Sequence, residues 1–292
     1  MSTRRPQLDL LSPAAVVGLV LEAEHRVVPA VGERTPEIAR AATLVADRLA
    51  ADGRVAFAGA GTSGRIAMAE AAELPGTFGL PRHRVPACVA GGLTSTDRSE
   101  DDVDLAAADA RALTLTPRDV LVAVSASGST PYTVALARAA KEAGTAVVAV
   151  TTARPSPLAA LADVAIEVCI PPEVLRGSSR LTAGTAQKIV LNAITTAAMA
   201  RLGRVHGDLM IDVEPANAKL RGRLADIVAD IAGCSPTDAA QALERCDDNG
   251  RAAVVHLICG LPPERAQAVA AEHARLRDAL SAGEVAVDRA GA

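Results

Sequence analysis

Two short stretches rich in glycine and hydroxyl residues offer the clearest chemistry in this sequence. They are residues 59–64, GAGTSG, and residues 125–130, SASGST. Glycines allow sharp turns, and the N–H groups at the start of a helix bind anions with help from nearby hydroxyls. The pair of turns therefore predicts a pocket for one phosphate and several sugar hydroxyls. The candidate ligand-binding residues are Gly61, Thr62, Ser63, Ser125, Ser127, Gly128, Ser129 and Thr130.

Two other interpretations of these turns are weaker. Gly59, Gly61 and Gly64 fit the GxGxxG spacing of a dinucleotide site. Such a site expects an acidic residue after the second strand, but the predicted strand at 85–90 runs into two glycines, and a dinucleotide needs only one such turn. The hydroxyls also suit plain helix N-caps, an explanation that weakens when both turns are considered together.

Two glutamates, Glu73 and Glu100, are predicted to lie near these turns. A pair of carboxylates can transfer protons when burial raises the pKa of one of them. Glu73 is predicted at the end of the helix that follows the first turn, just before Pro75, and Glu100 opens an acidic run after the second strand. On spacing alone, Glu73 also fits a solvated helix end and Glu100 an acidic helix N-terminus.

No nucleophile or metal ligand set competes with these carboxylates. The five histidines lack partners at metal or triad spacing, and neither Ser63 nor Ser127 lies in a GxSxG elbow. We therefore expect no metal, no cofactor and no covalent intermediate.

Short apolar strands that alternate with helices position the turns. Strands are predicted at 54–58, 85–90, 119–124, 146–151 and 164–168, and the helices between them at 64–72, 102–113 and 130–143. This order predicts an α/β fold with a central, mostly parallel sheet between layers of helices. Helices at 11–31 and 36–51 come first, and a long helix at 182–202 crosses the sheet. Helices at 217–231, 236–245, 250–259 and 263–281 complete the chain.

Composition narrows the class of protein. The 292 residues carry a net charge of −4, so neither a nucleic-acid partner nor a polybasic membrane contact is expected. With two Phe, one Tyr and no Trp, the core must consist of Ala, Val, Leu and Ile. Five scattered cysteines, no secretory leader and no apolar span of about 20 residues predict a soluble cytoplasmic protein with reduced thiols.

The turns also carry a family resemblance. Residues 59–65, GAGTSGR, and 127–132, SGSTPY, are similar to sugar isomerase (SIS) domains, and in particular to N-acetylmuramic acid 6-phosphate etherases. The likeness continues through ELPGTFG at 73–79, GSSRLTAGTAQK at 177–188 and DVEPANAKL at 212–220. It implies N-terminal helices over 1–53, a SIS phosphosugar-binding domain over 54–216 and a small C-terminal helical domain over 217–292.

The resemblance implies a phosphosugar lyase that needs no cofactor. Etherases of this kind open the sugar ring, remove the C2 proton, expel lactate from C3 and add water. The products are N-acetylglucosamine 6-phosphate and D-lactate, formed in the recycling of cell-wall amino sugars. By this resemblance Glu73 protonates the departing ether oxygen and Glu100 is the base at C2. It also implies a homodimer in which the partner subunit completes the pocket.

Further residues enter the site through the resemblance alone. Glu173 would hold sugar hydroxyls or assist ring opening, or else form an ion pair with Arg180. Lys188 fits packing as well as ligand binding, and Asn217 fits a helix N-cap as well as the far side of the cleft. The segment between Gly92 and Glu100 is a few residues shorter than in the etherases. The implied binding residues are Glu173, Ser178, Arg180, Lys188 and Asn217.

Two other functions share the predicted pocket. A non-catalytic SIS sensor would bind the sugar phosphate without turnover. An aldose–ketose phosphosugar isomerase would take the C2 proton without expelling lactate. The presence of both Glu73 and Glu100 beside both turns favours the lyase.

Overall fold

The computed structural model describes residues 6–92 and 97–290. Within these ranges the chain forms two compact units. The sheet unit comprises Met1–Ala41, Ala56–Ala69 and Ala87–Ala193, and the helical unit comprises Ala42–Val55, Glu70–Pro86 and Ile194–Ala292. The domain boundaries after residues 53 and 216 remain a sequence-based prediction.

A five-stranded parallel sheet forms the centre of the sheet unit, as the sequence predicts. Every residue of β1, β3 and β4 is buried, which explains their continuous apolar sequences. The strand order is β2-β1-β3-β4-β5. The strands are β1 (Val55–Gly59), β2 (Ala87–Val89), β3 (Val120–Val124), β4 (Ala146–Thr151) and β5 (Val164–Glu167).

Helices flank the sheet. The first eight are α1 (Pro13–Glu24), α2 (Val27–Gly32), α3 (Thr35–Ala50), α4 (Gly61–Phe78), α5 (Val103–Leu113), α6 (Pro131–Glu142), α7 (Pro157–Leu161) and α8 (Thr182–Arg201). One buried cluster joins side chains of α5, α6 and α7 to one face of β1, β3 and β4. The strand order puts β2 on one side of β1, and β3, β4 and β5 on the other side. Because crossovers between parallel strands are right-handed, α4, which connects β1 to β2, lies on the face of the sheet opposite to α5, α6 and α7. The direction of the crossovers changes between β1 and β3.

The helical unit ends in five helices around an Ala, Val and Leu core. Asn217, Ser235 and Asn249 each cap a helix by accepting a backbone N–H three residues later. Gly233 and Gly260, at φ of 67° and 66°, end two of the helices in the left-handed conformation. These helices are α9 (Ala218–Ala232), α10 (Pro236–Arg245), α11 (Gly250–Cys259), α12 (Pro263–Glu272) and α13 (Leu276–Ala290). No helix in the described ranges is both long and apolar enough to cross a membrane.

Several predicted helix boundaries are wrong. The helix predicted at 11–31 divides into α1 and α2, the one at 263–281 divides into α12 and α13, and α7 was not predicted. The largest error concerns α4, which continues through Pro75 to Phe78. A proline inside a helix loses one hydrogen bond, but Leu74 and Phe78 on either side of it are buried, which offsets that loss. Glu73 therefore lies within α4 and not at its end.

A partly buried arginine, Arg251, fixes the connection between α8 and α9. The Arg251 guanidinium donates to both carboxylate oxygens of Asp212, to the Gly203 carbonyl at 2.6 Å and to the Ala274 carbonyl at 2.7 Å. Arg204 lies 3.3 Å from the same Asp212 carboxylate. Because the Arg251 and Asp212 side chains are only 14% and 13% exposed, solvent screens this contact weakly.

We expect Arg251→Leu to lower the free energy of unfolding by about 3 kcal/mol, because it removes the main partner of a buried carboxylate. The matched control is Arg201→Leu, which breaks an ion pair with Asp47 whose side chains are 55% and 56% exposed. The control should change the unfolding free energy by less than about 1 kcal/mol. Urea unfolding of both variants tests this difference. Equal losses would show that the buried contacts of Arg251 add nothing beyond a surface pair.

Candidate functional site

The first turn is fixed by backbone packing at the end of β1. A Cβ added to Gly59 would lie 2.7 Å from the Val124 carbonyl oxygen of β3 and 2.9 Å from the Gly64 nitrogen, so only glycine fits. Two residues later α4 begins at Gly61, whose φ of +53° also favours glycine. The first N–H groups of an α-helix have no acceptor within the helix, so an anionic or polar group near this turn can accept from them. Thr62 and Ser63 lie in this first turn of α4.

The second turn contains two kinds of hydroxyl. Ser125 is only 2% exposed, accepts a hydrogen bond from the Gly128 N–H at 3.1 Å and lies 2.9 Å from the Thr130 hydroxyl oxygen. These contacts hold the turn itself. Ser127 and Ser129 are exposed, with their hydroxyl oxygens 3.1 Å apart. Of the predicted residues here, Ser127 and Ser129 therefore have hydroxyls that solvent can reach, and their contact with a ligand stays a prediction.

The two turns lie side by side. They follow β1 and β3, which are neighbours in the sheet, and Gly59 packs against Val124 at the ends of those strands. In a 2-1-3-4-5 sheet the direction of the crossovers changes between these two strands, and ligands of open parallel sheets bind at that point. The fold thus brings both predicted turns to the position where a ligand site is expected.

Glu100 lies against the first turn. A Cβ on Gly61 would collide with the Glu100 carboxylate, which places that group at the start of α4. The Glu100 carboxylate does not cap α5, because Asp102 caps that helix through a 2.8 Å bond from the Leu105 N–H. At the start of α4 the Glu100 carboxylate lies where the positive end of the helix dipole favours a carboxylate. The shortened segment before Glu100 includes residues 93–96, which lie outside the described residues.

Glu173 contacts the start of α8, a position that neither of the two sequence-based interpretations predicted. One carboxylate oxygen accepts the Thr182 N–H at 3.1 Å and the Thr182 hydroxyl at 2.7 Å, and the other accepts the Ala183 N–H at 3.0 Å. Glu173 therefore caps α8. Among the ion pairs of the described residues there is none between Glu173 and Arg180.

The start of α8 borders the first turn. A Cβ on Gly184 would lie 3.7 Å from both the Thr62 Cγ2 atom and the Ser179 carbonyl oxygen. Ser178 and Arg180 belong to the same segment, with Ser178 half-buried and Arg180 exposed. The resemblance-based assignment of Ser178 and Arg180 to the site is therefore compatible with their place in the fold, and it stays a prediction.

Three other predicted residues are placed without a test of their roles. Lys188 is half-buried on α8, one turn after Gly184. Asn217 caps α9 by accepting the Leu220 N–H at 2.9 Å, as one of the two sequence interpretations expects. Glu73 is exposed on α4 and belongs to the helical unit.

Sequence reasoning missed one polar residue on α8. Gln187 is fully buried, and neither atom of its side-chain amide has a hydrogen-bond partner. The sequence feature that could have indicated this residue is a glutamine among the apolar residues of a long predicted helix. In the described ranges no cluster of three or more His, Cys, Asp or Glu side chains could hold a metal ion, and all five cysteines are free thiols.

Comparison with known proteins agrees with the fold. A SIS domain family model matches residues 22–152. A phosphoheptose isomerase structure from Francisella tularensis superposes with a TM-score of 0.52 at 19% identity, covering 65% of this chain and all of that one. At that identity the superposition is evidence for the fold alone. The predicted SIS-type α/β fold is confirmed.

Two curated relatives match over most of their length. The N-acetylmuramic acid 6-phosphate etherase of Rubrobacter xylanophilus is 42% identical over 265 residues, covering 89% of this chain and 88% of that protein. The protein of the same name from Symbiobacterium thermophilum is 44% identical over 259 residues, covering 87% of this chain and 86% of that protein.

The two kinds of serine in the second turn can be separated by substitution. We expect Ser125→Ala to lower the free energy of unfolding by about 1 kcal/mol, because the Thr130 hydroxyl loses its partner and the Gly128 N–H keeps only the Ser125 backbone carbonyl as acceptor. Ser127→Ala should leave stability unchanged and weaken binding of a sugar phosphate. Thermal unfolding and isothermal titration with N-acetylglucosamine 6-phosphate measure the two effects. If Ser127→Ala binds this sugar like the wild type, Ser127 does not contact the ligand.

Proposed function

The chain belongs to the N-acetylmuramic acid 6-phosphate etherase family, and we propose that it cleaves the lactyl ether of N-acetylmuramic acid 6-phosphate. Cleavage with one water gives N-acetylglucosamine 6-phosphate and D-lactate. The observation that supports the proposal is the Glu100 carboxylate beside Gly61, in the first of two glycine- and hydroxyl-rich turns that follow neighbouring strands. In the proposal Glu100 is the proton acceptor beside the bound sugar phosphate, as removal of a sugar proton requires.

Charge suggests how the substrate lies between the two turns. A phosphate dianion would be repelled by the Glu100 carboxylate at the first turn, whereas the exposed Ser127 and Ser129 hydroxyls offer donors without a negative charge. In the proposal the phosphate therefore binds at the second turn. The sugar then extends toward the first turn, with C2 near Glu100.

The proposed reaction is an elimination followed by a hydration. In the open-chain sugar the aldehyde makes the C2 proton acidic, and the Glu100 carboxylate removes it. The C3–O bond then breaks, Glu73 protonates the departing ether oxygen, and D-lactate leaves. Water adds its hydroxyl to C3 and a proton returns to C2. The sequence is redox-neutral, and water is the only co-reactant.

Other site residues have supporting roles in the proposal. Thr62 and Ser63 would donate to sugar hydroxyls, since they belong to the first turn of α4. Ser178, Arg180 and Lys188 would border the sugar from the side of α8. Glu173 would act indirectly, because its carboxylate already caps that helix.

The proposal also includes the oligomeric state, the cellular location and the metabolic role of the enzyme. We infer that two copies form a homodimer and that the partner completes the pocket, with Asn217 on its far side. We also propose that the enzyme works in the cytoplasm, in the recycling of peptidoglycan amino sugars. The support for these three statements is membership of the family.

Incubation with N-acetylmuramic acid 6-phosphate and an enzymatic assay for D-lactate test the function. We expect Glu73→Gln and Glu100→Gln each to lower the rate of lactate release at least about a hundredfold, because each removes one proton-transfer group. The controls are Asp101→Asn, next to Glu100, and Glu244→Gln, an exposed glutamate on α10; both should keep wild-type activity.

Isotope exchange separates the two carboxylates. Glu73→Gln should still exchange the C2 proton with deuterated water, whereas Glu100→Gln should not.

A wild-type protein that binds the substrate without releasing lactate would be a sensor. Turnover of a hexose phosphate without lactate would make it an isomerase. Either result would overturn the proposed function.

A further inference from the structure

Glu70 is a buried carboxylate that the proposed reaction does not use. In the described ranges Glu70 and Asp119 are the two buried carboxylates, at 4% and 2% exposed. Asp119 accepts from the N–H and the hydroxyl of Thr116, three residues before it, and so holds its own turn. Glu70 lies inside α4, more than two turns from either end of the helix. Because burial of a charged carboxylate costs free energy, its position needs another explanation.

Thr195 of α8 donates a hydrogen bond to Glu70. Its hydroxyl oxygen lies 2.7 Å from the Glu70 Oε1 atom, and Thr195 is only 2% exposed. The two residues are 125 positions apart in the sequence, and both belong to the helical unit. A hydrogen bond has a preferred direction, whereas apolar contacts do not. The bond therefore fixes how α4 is rotated about its own axis at this turn.

Glu73 lies in the next turn of α4. Residues three apart on a helix are neighbours, so the direction of Glu73 follows the orientation of the turn that carries Glu70. The helix is weakened directly after Glu73, because Pro75 has no N–H to donate to the preceding turn. Beyond the proline, the Gly76 carbonyl accepts the Glu214 N–H at 3.0 Å. The turn that carries Glu73 is therefore held on one side by Glu70 and on the other by Gly76.

We propose that Glu70 is a positioning residue for Glu73, the acid of the proposed function. The hydrogen bond from Thr195 holds the turn of α4 from which Glu73 protonates the departing ether oxygen. A proton donor works only within hydrogen-bond distance of the atom that it protonates. A displacement of about 1 Å in such a turn can lower the rate of the reaction about a hundredfold. This inference rests on the proposed function, in which Glu70 itself contacts no substrate.

A role in stability alone is a weaker explanation of this hydrogen bond. When a buried donor and its acceptor are both replaced by apolar groups of similar shape, stability changes little. Leucine and valine in place of Glu70 and Thr195 would fill similar space without a buried charge. A contact that adds little stability but fixes a direction fits a positioning role better.

The first variant is Thr195→Val, which keeps the shape of the side chain and removes the hydroxyl. We expect kcat for lactate release from N-acetylmuramic acid 6-phosphate to fall at least about tenfold, with KM changed less than about twofold. Exchange of the C2 proton with deuterated water should stay within about twofold of the wild type, because Glu100 removes that proton. Thr195→Ser keeps the hydroxyl and should restore lactate release.

The matched control is Thr145→Val. Thr145 is 1% exposed and its hydroxyl donates to the Thr116 carbonyl at 2.9 Å, so this variant also loses one buried hydrogen bond. Thr145 precedes β4, at the end of the parallel sheet opposite to the two turns. Lactate release and C2 exchange of the control should both stay within about twofold of the wild type.

The double variant Glu70→Leu, Thr195→Val separates positioning from folding. It removes the acceptor together with the donor, so its circular dichroism spectrum and thermal unfolding midpoint should match those of the wild type. It should lose lactate release as Thr195→Val does, and it should keep C2 exchange.

Two results would overturn the inference. One is a folded double variant that releases lactate at the wild-type rate. The other is an equal loss of lactate release and C2 exchange in Thr195→Val and the double variant, which would show a general disturbance of the site. A wild type that releases no lactate would overturn the proposed function itself, and this inference with it, so the two failures are distinguishable.

Discussion

The candidate site depends on the contact between Gly59 at the end of β1 and the Val124 carbonyl at the end of β3. Any larger residue at position 59 would collide with backbone atoms, which cannot move without displacing a strand. The contact brings the first and second turns together at the point where the crossovers change direction. The positions of the exposed Ser127 and Ser129 hydroxyls and of the Glu100 carboxylate depend on this contact.

Polar residues near the turns divide into those that shape the pocket and those that face it. Ser125 and Asp102 use their oxygens on nearby backbone N–H groups, and Glu173 does the same at the start of α8. Ser127 and Ser129 have exposed hydroxyls, although the Ser127 oxygen also accepts the Ser129 N–H at 3.2 Å. This difference matters because a buried carboxylate or hydroxyl engaged by the backbone costs free energy to redirect toward a ligand. Fewer residues are therefore accessible to a ligand than the sequence motifs contain polar residues.

Much of the sheet unit was predictable because its signals are local. Each buried strand is a short apolar run, and each turn carries its own glycines, so the positions of strands and turns along the chain follow from the alternation of elements. The order 2-1-3-4-5 was not predicted. The end of α4 was not predictable, since burial of Leu74 and Phe78 decides whether the helix passes Pro75. The role of Glu173 was hidden for a similar reason. Its partners Thr182 and Ala183 lie nine and ten residues away, and the sequence analysis considered only sugar hydroxyls and Arg180 as its partners.

The most direct test of the account is whether both turns bind one phosphosugar. The measurement is a titration of the isotope-labelled protein with N-acetylglucosamine 6-phosphate, followed through the backbone amide signals of residues 61–63 and 127–130. The account predicts that both sets shift with a single dissociation constant, and that unphosphorylated N-acetylglucosamine binds at least about tenfold more weakly. Shifts confined to one turn, or equal binding of the two sugars, would contradict it.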